Sequence, residues 1–99
     1  MVGVRLALEL DHKSMLRIQR AAKAKGVVFT LSGRIDGEGL AELQKSLESE
    51  TEDHLILDLK EVKLVDRDAV SFLADCERKG MRLAHCPAYI REWIEREGI

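Results

Sequence analysis

Bulky apolar side chains at Val2, Val4, Leu6, Leu8 and Leu10 alternate with Gly3, Arg5, Ala7 and Glu9, a period of two that predicts a strand. The stretch "DHKS" breaks this pattern, and Met15, Leu16 and Ile18 begin a second apolar run that reaches Ala22. After the turn "KAKG", the run "VVFTL" at residues 27–31 predicts the returning strand of a hairpin, with Gly26 supplying the positive φ of a short loop. Beyond "SGRIDGEG" the period lengthens. Leu40, Leu43 and Leu47 recur at helical spacing beside Ala41, with Glu38, Glu42 and Glu48 on the polar side or near the helix start.

In "HLILDL", Leu55, Leu57 and Leu59 share one side while Ile56 and Asp58 share the other, so a central strand beneath helices is expected. "EVKLV" continues it in extended form. From Ala69 the pattern is helical again, with Ala69, Phe72, Leu73 and Cys76 in one stripe flanked by Val70 and Ala74, and a stop at Gly80. "MRLAH" reads as a short strand, and Pro87 suits the first turn of a last helix carrying Ile90, Trp93 and Ile94. The predicted order is β-β-β-α-β-α-β-α. Strands alternating with helices late in the chain imply crossovers and a partly parallel sheet. No internal repeat or low-complexity tract interrupts it.

Composition narrows the function classes. Ninety-nine residues fit one domain, and a chain of this size has room for a two-layer core but not a deep enzyme cleft. A formal net charge of −2 leaves no electrostatic footprint for nucleic acid. Two cysteines, Cys76 and Cys86, do not make a disulfide framework and suit a reducing compartment. The first fifteen residues lack the basic start and continuous apolar run of a signal peptide, and no segment approaches the ~18 apolar residues of a span. A cytoplasmic protein with no direct membrane insertion is the expectation.

Catalytic constellations are sparse. The glycines of "SGRIDGEG" have neither phosphate-loop nor dinucleotide spacing. His12, His54 and His85 are far apart in sequence. Cys76, His85 and Cys86 are too few for a closed zinc site, and Cys76 falls on an apolar stripe, so no metal and no cofactor are expected. No thiol or hydroxyl sits in an activating motif. The acids Asp36, Asp58, Asp66 and Asp68 invite comparison with phosphoryl-accepting receiver domains, but the acidic pair those domains carry after the first strand is missing. Helix chemistry accounts for two of these acids. Asp66 can cap the helix and Asp68 can sit in its first turn, effects of about 0.5–1 kcal/mol each.

Taken together, "FTLSGRID", the helix after it, "LILDLKEVKLVDRDAV" and "GMRLAHCPAYIREWIEREGI" resemble the STAS domain, the fold of bacterial anti-sigma-factor antagonists that also occurs in sulfate transporters and lipid-transport systems. The resemblance spans residues 15–99 and leaves residues 1–14 as an N-terminal extension or extra strand. It implies an α/β fold, a STAS-like mixed sheet of four to five strands with helices packed mainly on one face. It also implies a non-enzymatic protein-binding module whose partner is an anti-sigma factor or related kinase-like regulatory protein. A STAS subunit of a membrane transport complex is the alternative.

The family pattern after "LDL" ends in Asp-Ser-Ser-Gly, with the second serine phosphorylated by the partner kinase. Here Asp66 matches the Asp, Arg67 the first Ser, Asp68 the phosphoacceptor and Ala69 the Gly. The phosphoacceptor is therefore replaced by a fixed charge of about −1, against −1.5 to −2 on a phosphoserine. Partner contacts are expected at Gly33, Arg34, Asp36, Asp66, Arg67, Asp68, Ala69 and Ser71, with Arg67 placed to pair with Asp36. The strand expected at residues 2–10 is either an added edge strand or a homodimer contact, because an apolar edge invites pairing with another chain.

Overall fold

The computed structural model describes residues 15–51 and 53–97. The extra strand expected at residues 2–10 lies outside them. The described elements are β1 (Leu16–Lys23), β2 (Gly26–Ile35), α1 (Gly37–Glu48), β3 (Leu55–Val65), α2 (Arg67–Arg78), β4 (Arg82–Ala84) and α3 (Ala88–Glu97). The four strands form one sheet in the order β1-β2-β3-β4. The β1–β2 pair is antiparallel, whereas β2–β3 and β3–β4 are parallel across α1 and α2. Mixed α/β architecture therefore follows the expected order from residue 15 onward.

At the hairpin, Gly26 takes φ +141°, and a Cβ there would stand 2.3 Å from the His54 carbonyl oxygen. The strand it opens is longer than the apolar run suggested. Val27, Phe29, Leu31 and Ile35 are buried along one face, with Gly33 occupying the fourth position of the same alternation. Because Gly33 has no side chain, the pattern reads as a loop although the strand runs on to Ile35. A Cβ on Gly33, at φ +95°, would approach the Met15 carbonyl oxygen to 2.3 Å. Only Asp36 then separates β2 from α1.

β3 departs from strict alternation. Its buried residues are Leu55, Leu57, Leu59, Val62 and Val65, so the spacing changes from two to three along the strand. The pairing with β2 shifts between Thr30 and Ser32 and again between Gly33 and Arg34, each time with one extra residue on β3. Asp58 Oδ1 accepts the Lys60 N–H at 3.0 Å and holds the first irregularity. Leu64 is thereby turned outward at 50% exposure, while Val65 enters the core.

The core lies between the sheet and the helices. Leu31, Ile35, Leu43, Leu57, Leu59, Leu73 and Ile90 are completely buried, and burying a side chain of this size contributes about 1.5–3 kcal/mol. α3 also packs along α2, not on the sheet alone. Glu77 in the last turn of α2 pairs with Arg91 near the start of α3, and Arg67 at the start of α2 pairs with Glu97 at the end of α3. Pro87 stands just ahead of α3 instead of within its first turn, and its carbonyl accepts the N–H groups of Ile90 and Arg91. No described helix is long and apolar enough to cross a membrane.

Candidate functional site

β2 and β3 are parallel and end in register, with Ile35 beside Val65. The residues that follow, Asp36 and Asp66, therefore emerge next to each other, and the Asp66 N–H donates to the Ile35 carbonyl at 3.3 Å. Both aspartates have extended backbones and both cap a helix. Asp36 Oδ1 accepts the Gly39 N–H at 3.3 Å, and Asp66 Oδ1 accepts the Ala69 N–H at 2.9 Å. Two helix N-termini thus stand side by side, each with an acid in its first turn, Glu38 in α1 and Asp68 in α2. Caps satisfy amides the helix itself leaves open, and the first-turn acids complement the positive helix end.

The bases here are already engaged. Arg34 lies 3.9 Å from Asp36, and Arg67 lies 3.6 Å from Glu97. Arg67 therefore does not pair with Asp36 as expected, because the packing of α3 along α2 brings Glu97 to it first. Asp68 is exposed and has no ion pair or hydrogen-bond partner among the described residues. Ser71, one turn on, is also exposed.

The remaining expected residues serve the scaffold. Gly33 is required by its backbone angle and the approach of Met15. Ala69 is completely buried, and its N–H is taken by Asp66, so a partner cannot reach its side chain. Gly39 was not singled out from the sequence, yet a Cβ there would meet Leu16 Cβ at 2.9 Å and the Arg34 carbonyl at 3.3 Å. It lets α1 start directly over the β1–β2 pair. The available signal was "D-G-E-G", an acid followed three residues later by a glycine at the helix start.

Outside this junction, a groove of about 410 Å³ runs between α1 and α2, lined by Leu47, Phe72, Cys76 and Met81 among others. Burial pushes the Cys76 thiol up to about 11, so it stays protonated and unreactive near neutrality. Partial burial also raises Cys86, whose Sγ is 3.6 Å from the Pro87 carbonyl. His85 holds φ +53°, and its Nδ1 stands 3.2 Å from Asp58 Oδ1. Among the described residues no three His, Cys, Asp or Glu side chains gather as a metal site requires.

A solved structure shares this architecture. An uncharacterized protein of the DUF3478 family with a SpoIIAA-like fold, from Shewanella loihica PV-4, superposes with a TM-score of 0.51. The match covers 84% of this chain and 76% of that one at 17% identity, which establishes the fold alone. No family model matches the sequence, and no curated protein does. The chain has a SpoIIAA-like, that is STAS-like, fold.

Proposed function

We propose that this chain is a non-enzymatic protein-binding module of the anti-sigma-factor-antagonist kind, whose docking surface is the paired strand-to-helix junction around Asp36 and Asp66. The observation that carries this reading is Asp68. It is exposed and unpartnered in the first turn of α2, at the position where the STAS pattern has its phosphorylated serine. Asp66 is committed to its cap, and Arg34 and Arg67 are paired with acids of the same chain. Asp68 is thus the side chain left to meet a partner at the start of α2.

A carboxylate at this point supplies a permanent charge where a serine would alternate between neutral and doubly charged forms. Docking is then fixed in affinity instead of being cycled by a kinase. Ser71 remains a helix-surface hydroxyl in this reading. The partner is an anti-sigma factor or related kinase-like regulator, and transcription regulation in the cytoplasm is the resulting role.

Titration calorimetry of candidate anti-sigma partners against the wild type, Asp68→Ser and Asp68→Ala tests this. The expected result is binding by all three with affinities that differ by several fold, and phosphorylation of the Asp68→Ser protein alone. Absence of binding by every form overturns the proposal, as does co-purification with a transporter ATPase in place of a regulator.

A further inference from the structure

The sheet has a second face, and its residues are arranged in a way the docking function does not use. Directly paired residues on neighbouring strands point to the same side of a sheet. Opposite the core, the register therefore sets Arg17, Ser32 and Glu61 in one row and Gln19, Thr30 and Asp58 in the next. Ala21, Val28 and Ile56 form a third row. At the end of the sheet, the Arg34 N–H donates to the Met15 carbonyl, and Leu64 flanks Arg34 from β3. None of these residues is buried, and the core residues all lie elsewhere. Met15 and Leu64, at 60% and 50% exposure, are two of the three large hydrophobic side chains exposed among the described residues.

We infer that this outer face is a self-complementary docking surface for a second copy of the same chain. A two-fold axis laid along β2 places β1 of each copy over β3 of the other. The residues off the axis then meet matching partners. Arg17 faces Glu61 of the second copy, with opposite charges. Met15 faces Leu64 and Ala21 faces Ile56, both apolar pairs. Gln19 faces Asp58, an amide donor opposite a carboxylate that accepts.

The residues on the axis itself are Val28, Thr30 and Ser32, which are small and allow two sheets to approach the usual ~10 Å. Arg34 also falls on the axis, the one like-charge meeting. It lies at the end of the sheet, where twist splays the layers, and its charge is offset by Asp36 at 3.9 Å. Three strands ~4.8 Å apart over about seven residues of ~3.3 Å rise give a footprint of roughly 350 Å² per copy, below the usual range of specific interfaces, so the dimer is weak and concentration-dependent. Because the axis runs along the strands, both Asp68 carboxylates would face the same end of the dimer.

Sedimentation velocity on the full chain from 5 μM to about 1 mM tests the inference, with circular dichroism confirming the fold of each variant. The expected result is a reversible monomer–dimer equilibrium. Arg17→Glu and Glu61→Arg each raise the dissociation constant at least about tenfold by opposing like charges, and the double variant recovers most of the loss. A chain that remains monomeric throughout overturns the inference. So does a dimer indifferent to both charge reversals, or one that is lost only when residues 1–14 are removed, which would assign the contact to the N-terminal segment.

Discussion

The β2–α1 and β3–α2 junctions are built by the same local rule and do different work. In each, a buried residue ends the strand, an aspartate caps the helix and an acid stands in the first turn. The first junction is bound to its surroundings by glycines, because Gly33 and Gly39 leave room for Met15, Leu16 and Arg34. The second needs no glycine there and presents Asp68 to solvent. The same cap chemistry therefore serves one junction packed closely against β1 and one that is not, and both leave a first-turn acid, Glu38 or Asp68, exposed. What separates them is the neighbouring element: β1 crowds the first junction, while α3 flanks the second, and β4 reaches only Ile56–Asp58 of β3.

The largest expected effect falls on the packed corner. Ile35→Ala removes a completely buried side chain where β2 ends and should cost about 2–5 kcal/mol in urea unfolding. A loss under 1 kcal/mol would break the claim that this junction is anchored by the core. Next, Gly33→Ala forces a Cβ against the Met15 carbonyl at positive φ and should cost about 1–3 kcal/mol. At the second junction, Ala69→Gly, at the position equivalent to Gly39, costs only about 1 kcal/mol, mainly helix propensity.

The caps give a closer comparison. Asp66→Ala should destabilise by about 1 kcal/mol and Asp36→Ala by about half that, following their hydrogen bonds of 2.9 and 3.3 Å. Equal losses in thermal or chemical unfolding would show that bond length does not rank them.

A smaller effect separates the far ends of the two helices. α2 is tied to α3 by Glu77, whose carboxyl is held below its ordinary value of 4.5 by the hydrogen bond from Arg91 and opposed only partly by burial. A depressed carboxylate contributes stability that is present above its unfolded-state value and is lost as pH falls through the folded-state value. Glu77→Gln should therefore flatten the stability profile slightly below about pH 4.5, by no more than ~0–1 kcal/mol because the pair is exposed. An unchanged acid limb in a pH series would assign no role to the pair.

Asp68→Ala should be small for folding, about 0.5 kcal/mol, because it removes only an exposed first-turn charge at the start of α2. Its effect belongs in the binding measurement.

The fold was largely legible. An apolar run before the "KAKG" turn marked β1, alternation of Leu55, Leu57 and Leu59 with Ile56 and Asp58 marked β3, helical stripes marked α1 and α2, and Gly80 marked the end of α2, where it takes φ +101°. The end of β2 was misread because a glycine occupies an inward position, and a missing side chain looks like a missing strand. The outward turn of Leu64 was not legible, because two insertions in β3 rephase the alternation, and such shifts depend on the neighbouring strand. At the junctions, Asp66 was recognisable as a cap, but Asp36 was read only as a partner contact. Arg67 was given the wrong partner, because its true one, Glu97, is thirty residues away in sequence and brought close only by helix packing.

The sequence by itself determined which residues seek the interior, where helices start, and that the first turn of α2 carries a carboxylate at residue 68. These are properties of single residues and short-range periods, and they survive in any environment. Only the tertiary structure decided that Asp36 and Asp66 stand side by side, that Ala69 is sealed off while Asp68 is exposed, and that Arg17 and Glu61 lie in one row on either side of β2. Those outcomes depend on strand register and on helices meeting far along the chain, where a shift of one residue reverses which side each side chain faces.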